Sequence, residues 1–218
     1  MVTIRIIIEG GSSSADNSSV ADNTESLRQS FNAFFSRLLG KTDISIIMGY
    51  GYRNAAKQFL KQPSDAVLFV DSDCTPDKLD DFFLRLKKGE TPIIIPDDRK
   101  PNVFFMIQEM EAWFLKQPEC FDLWAKHEGY TRRTDESIFE HSLIANKDVE
   151  TIEKPSTKTN DLMKHFFEKT FPDFPSKKRI LAKYGKLKTA PILLDCLDVV
   201  KLETQDAELH RFKEAVLK

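Results

Sequence analysis

Two β-prone runs of this chain end in carboxylates. Ala66-Val67-Leu68-Phe69-Val70 leads into Asp71-Ser72-Asp73, and Thr3-Ile4-Arg5-Ile6-Ile7-Ile8 leads into Glu9-Gly10-Gly11. Carboxylates held close repel one another unless a proton or a cation lies between them. Oxygen ligands suit Mg2+ or Mn2+, which makes Glu9, Asp71 and Asp73 candidate metal ligands. Residues two apart on an extended chain point the same way, so Asp71 and Asp73 are expected on one face. A third acidic junction, Glu109-Met110-Glu111, opens a predicted helix. There i and i+2 diverge, so one glutamate is expected in a site and the other in solvent. The chain has no Gly-x-Ser-x-Gly elbow and no Cys/His neighbourhood for a side-chain nucleophile. Any chemistry therefore belongs to the carboxylates.

These groups need a scaffold that brings strand ends together. The apolar run before Asp71 is short, β-rich and bounded by Pro63 and Pro76, which favours a buried strand. In an open α/β sheet, ligands sit beyond the carboxyl ends of the strands. Strands are predicted over 3–8, 44–48, 66–71, 93–95 and 103–107. A polar Ser-rich loop over 12–23 precedes a helix marked by Leu27, Phe31, Phe34, Phe35 and Leu38, ending near Gly40. Gly49-Tyr50-Gly51 turns into a helix containing Phe59 and Leu60. Arg53, beside that turn, is either a phosphate contact or a plain loop arginine. A further helix spans 77–88, and another starts within 108–115. The alternation predicts an α/β fold with a mostly parallel, Rossmann-like sheet and right-handed crossovers over residues 1–115. Residues 116–218 read as a mainly helical, basic extension packed on that core. It holds a helix over 161–171, an apolar stretch over 192–197 and a polar C-terminal helix. Between 176 and 188 the charged residues are Lys177, Lys178, Arg179, Lys183, Lys186 and Lys188, with no acid among them.

Composition narrows the setting. No apolar run approaches the roughly 20 residues of a membrane span, and no secretory signal opens the chain, so neither a membrane nor export is expected. Cys74, Cys120 and Cys196 form no CxxC pair, which argues against zinc and for a reducing cytoplasm. His127, His141, His165 and His210 lack ligand-like spacing and are expected at ordinary surface positions.

A Glu ending the first strand and an Asp-x-Asp ending a later one resembles the Toprim fold of topoisomerases, primases and OLD-type or RloB-like nucleases, over residues 1–115. The chain is similar to one Toprim-like bacterial family of unknown function, often encoded beside AAA or ABC-type ATPases. The matching blocks are Glu9-Gly10-Gly11, Arg53-Asn54-Ala55-Ala56, Val70-Asp71-Ser72-Asp73 and Met110-Glu111-Ala112-Trp113-Phe114. Lys154 resembles a lysine placed before a helix in that family. Tyr184-Gly185-Lys186 looks like its Tyr-x-Lys, ahead of an apolar stretch ending at Asp198. With these blocks the similarity spans nearly the whole chain, and it selects Glu111 over Glu109.

This resemblance implies a metal-dependent nuclease acting on DNA or RNA, a phage-defence effector working with an AAA/ABC-type ATPase. Glu9, Asp71 and Asp73 would hold one or two Mg2+ or Mn2+ ions, a pair lying about 3.5–4 Å apart. Glu111 would join the catalytic set. Lys186 or Lys154 would neutralise charge developing on the phosphate. Lys177, Lys178, Arg179, Lys183 and Lys188, with Arg53, would steer the nucleic-acid backbone, the alternative being ordinary solvated surface. In a second reading the carboxylates are degenerate and the protein is a non-catalytic binding or regulatory partner of the ATPase. Trp113, Phe114 and Trp124 would then form a partner surface instead of core.

Overall fold

The computed structural model describes residues 3–11, 18–41, 43–171 and 178–217. Its centre is a four-stranded sheet of β1 (Ile4–Ile8), β2 (Ile44–Met48), β3 (Val67–Asp71) and β4 (Val103–Met106), in the order β2-β1-β3-β4. All three pairings are parallel, as the strand–helix alternation predicts. Three helices connect the strands: α1 (Ser18–Leu39), α2 (Tyr52–Leu60) and α3 (Asp80–Lys87). From β1 the chain first moves outward to β2, then returns past β1 to β3. The switch in direction falls between β1 and β3, the strands that end in Glu9 and Asp71.

Alternation along the strands divides the core. Ile6, Ile8, Phe69 and Phe104 face α1, while Ile7, Leu68, Val70 and Phe105 face α2 and α3. Gly49 closes β2 because a Cβ there would lie 2.4 Å from the Ala55 Cβ. Only glycine lets α2 come this close to the strand ends.

The rest of the chain completes the α1 side. It contains α4 (Ala112–Lys116), α5 (Glu119–Glu128), β5 (Thr131–Arg132), α6 (Pro155–Phe166), β6 (Phe167–Phe171), β7 (Lys178–Leu181), α7 (Ala190–Cys196), α8 (Val199–Gln205) and α9 (Ala207–Val216). Phe212 of α9 stacks edge-on against Phe35, Phe69 and Phe104, with centroids 5.0–5.4 Å apart. Trp113 Nε1 donates to the buried Asp206 at 3.0 Å, and Lys116 pairs with the same carboxylate at 2.8 Å. Trp113, Phe114 and Trp124 are buried in this core and offer no partner surface.

Three sequence expectations change. The helix expected over 161–171 ends at Phe166, where Phe167–Phe171 becomes a strand pairing antiparallel with β7. A partner strand supplied from afar outweighs the helical spacing of Leu162, Met163 and Phe166. The extension, mainly helical as expected, thus also carries a second sheet of β5, β6 and β7. Residues 93–95 alternate as a strand would, with Ile94 exposed between buried Ile93 and Ile95, yet pair with no strand among the described residues. Pro92 and Pro96 flank the segment and lack the N–H groups a ladder needs. The loop expected over 12–23 is helical from Ser18, and residues 12–17 lie outside the described residues. Among the described residues no helix is long and apolar enough to cross a membrane.

Candidate functional site

The carboxyl ends of β1 and β3 deliver Glu9 and Asp71 side by side, and the Glu9 Oε2 accepts the Asp71 N–H at 3.3 Å. Asp71 is nearly sealed from solvent. Its Oδ1 accepts the Met110 N–H at 2.9 Å and its Oδ2 accepts the Lys186 ammonium at 2.9 Å. Lys186 comes from the turn between β7 and α7, closed where the Thr189 N–H donates to the Gly185 carbonyl at 2.7 Å. Two residues earlier, the Tyr184 hydroxyl donates to Glu111 Oε1 at 2.5 Å. Glu111 is fully buried, and its Oε2 has no hydrogen-bond partner among the described residues.

Burial sets the electrostatics. Desolvation and then the neighbouring Asp71 charge push the Glu9 carboxyl up to about 7, with Lys186 pulling the other way. Burial also raises Asp71 and Glu111, each opposed by Lys186. For Lys186, burial alone would lower the pKa. Asp71, Glu111 and Glu9 outweigh it, so the ammonium is held protonated. Tyr184 is pushed well above its ordinary value by burial and by Glu111, which keeps its hydroxyl a donor. Of the three carboxylates only Asp71 touches the ammonium, and no three of Glu9, Asp71, Asp73 and Glu111 bring ligand oxygens within 4.8 Å of one another.

Asp73 departs from the expected shared face. Its backbone is left-handed (φ 50°), and Gln108 at the end of β4 is left-handed too (φ 60°). The two ends are tied where the Asp73 N–H donates to the Gln108 carbonyl and the Gln108 N–H to Ser72 Oγ. This turn breaks the strand alternation, and the half-exposed Asp73 carboxylate accepts Arg85 at 2.7 Å while Asp71 accepts Lys186. Strain of this kind is tolerated where the surroundings over-determine it.

The other candidates are placed apart. Lys154, left-handed at the start of α6, lines a neighbouring cleft of about 590 Å³ with Asp73, Lys78, Gln108 and Glu109. It does not join the Asp71 cluster. Glu109 was expected in solvent; instead its Oε2 accepts the Ser156 N–H at 2.7 Å in the first turn of α6. Arg53 is engaged within the protein: its guanidinium donates to the carbonyls of Arg85, Leu86, Lys88 and Thr91 at 2.5–3.4 Å. Carbonyls left over at the end of α3 need such a donor. In the basic stretch, Lys177 lies outside the described residues and Lys178 begins β7. Arg179, Lys183 and Lys188 are exposed, with Arg179 3.9 Å from Glu168.

Sequence reasoning gave no role to Arg85, and knew Tyr184 only as part of a block. It also missed that Glu136, His141 and His165 converge.

No family model, curated protein or solved structure matches this chain.

Proposed function

We propose that this protein is a metal-dependent phosphodiester hydrolase acting on DNA or RNA, with Glu9 and Asp71 as the central ligands of Mg2+ or Mn2+. The observation that carries this reading is the chain of contacts from Glu9 to Asp71 and from Asp71 to Lys186, beyond the ends of β1 and β3 where the sheet switches direction. Such crevices are where open α/β sheets bind ligands. The donor chemistry suits a hard divalent cation: Glu9 and Asp71 offer carboxylate oxygens, and the Glu9 carboxyl, raised first by burial and then by the Asp71 charge, would ionise more readily beside an ion. When bound, the ion would supply Lewis-acid stabilisation of phosphoryl oxygens and an activated water.

The chain's own groups have separate tasks. Asp71 is oriented by the Met110 N–H and by Lys186, so its oxygens are fixed before substrate arrives. Lys186, still more than a third exposed, keeps a positive charge where a scissile phosphate would approach. Tyr184 anchors Glu111. Asp73 reaches the same rim from the Arg85 side, and Lys154 lies across the adjoining cleft. Arg179, Lys183 and Lys188 supply an exposed basic surface for the backbone of the nucleic acid. The Toprim-like resemblance supports the same reading. It extends it to a cytoplasmic phage-defence effector working with an AAA/ABC-type ATPase.

One observation favours a second reading. Two of the acidic groups already meet cations of the protein, Asp71 with Lys186 and Asp73 with Arg85. A site neutralised from within suits a non-catalytic regulatory partner of the ATPase. Incubating plasmid DNA and RNA with the purified protein, Mg2+ or Mn2+ and the ATPase separates the two. Cleavage by wild type that Asp71→Asn loses supports the hydrolase. Stable co-purification with the ATPase and no metal-dependent cleavage supports the regulator.

A further inference from the structure

Away from the strand ends, three potential metal ligands from separate segments converge. Glu136 follows β5, His141 follows a 3-10 turn, and His165 sits in the last turn of α6. One ligand atom from each lies within 4.8 Å of the others. His165 Nε2 is already 3.2 Å from Glu136 Oε2, and the two imidazole centroids are 4.7 Å apart. Ligands at ordinary zinc bond lengths stand about 3.3 Å from one another, so side-chain rotation closes the remaining gap.

The rings are not loose. Both lie against the buried Phe166 ring, His141 at 5.5 Å and His165 at 4.8 Å between centroids. Arg132, held by both oxygens of Asp122, donates to the Glu136 carbonyl at 2.8 Å and so fixes the backbone behind that carboxylate. Arg133 donates to the His165 carbonyl at 3.2 Å. These contacts order the backbone at Glu136 and His165, two of the three ligand positions. Both arginine heads are engaged by carboxylates and carbonyls. Among the described residues, the hydrogen bond on the rings from outside the trio is a long one, the Leu143 N–H at 3.3 Å from His141 Nδ1.

We propose that Glu136, His141 and His165 form a second metal site, separate from the carboxylate site, that takes Zn2+ and clamps the segment after β5 onto the end of α6. Two imidazoles and a carboxylate are a zinc donor set, and they leave a fourth position for water. The cysteine count argues against a thiolate zinc site but does not touch this one.

The test is calorimetric titration of Zn2+ into the EDTA-treated full chain, with thermal melts alongside. Wild type should bind zinc with a component that His141→Ala and His165→Ala each weaken at least tenfold, and that Asp71→Asn leaves unchanged. At zinc about a hundred times Kd, the melting temperature should rise by about 5–10 °C, and this rise should vanish in the histidine variants. Should either alanine variant fail to fold, cobalt substitution of wild type decides: imidazole-dependent visible bands support the site, and their absence overturns it. Identical zinc isotherms and melts in wild type and both histidine variants would also overturn it.

Discussion

The Lys186 ammonium lies 2.9 Å from Asp71 Oδ2, joining the turn after β7 to the end of the central strand β3. Asp71 in turn lies against Glu9, so a cation from the extension is built into the acidic end of the sheet. The proposed function rests on this relationship: burial and the Asp71 charge raise the Glu9 carboxyl, and a divalent ion would favour its ionised form.

Glu9 makes the first prediction. Its carboxyl is raised from 4.5 to about 7, so the folded protein holds that proton more tightly than the unfolded chain does. The stability it contributes is complete below about pH 4.5, declines as pH rises towards 7 and stays lost above it. The decline should amount to about 3 kcal/mol. Urea unfolding at pH 5 and pH 8 should show this limb in wild type and a flatter one in Glu9→Gln. Added Mg2+ should restore stability at pH 8 more than at pH 5. Equal pH dependence in the two proteins would remove Glu9 from a charge-strained cluster.

Tyr184→Phe tests the anchoring of Glu111. Among the described residues, the change removes the one hydrogen bond on a buried carboxyl whose other oxygen has no partner. A loss of about 1–3 kcal/mol is expected in chemical denaturation. A neutral substitution would mean that Glu111 does not depend on the hydroxyl.

Arg53 and the exposed basic residues should separate cleanly. Arg53→Ala should cost about 1.5–3 kcal/mol of stability, because carbonyls at the end of α3 lose their donor. Nucleic-acid affinity per folded molecule should be unchanged. Changing Arg179, Lys183 and Lys188 together to Ala should do the reverse, reducing the slope of log affinity against log salt by about 2–3. An unaltered slope would make that stretch ordinary surface.

Much of this architecture is legible in the chain. The runs ending at Ile8 and Val70 are short, rich in β-formers and followed by acidic turn residues, so the strands and their acidic ends can be read directly. Asp73 cannot be placed that way, because a left-handed residue breaks the alternation that would align it with Asp71. The carbonyls at the end of α3 that Arg53 caps leave no mark in the sequence around it. Tyr184 and Glu111 stand 73 residues apart, and β6 becomes a strand only because β7 is there to pair with it. Pairings of that range leave no periodic trace. The imidazoles of His141 and His165, close in space, are likewise invisible to motif spacing.

The most direct test of the account is the binding of Mn2+ itself, measured by the loss of the free-ion paramagnetic resonance signal in wild type, Glu9→Gln and Asp71→Asn. The account predicts binding by wild type that each substitution weakens at least about tenfold, since each removes a central charged ligand. Equal Mn2+ binding by all three proteins, or none by wild type, would contradict it.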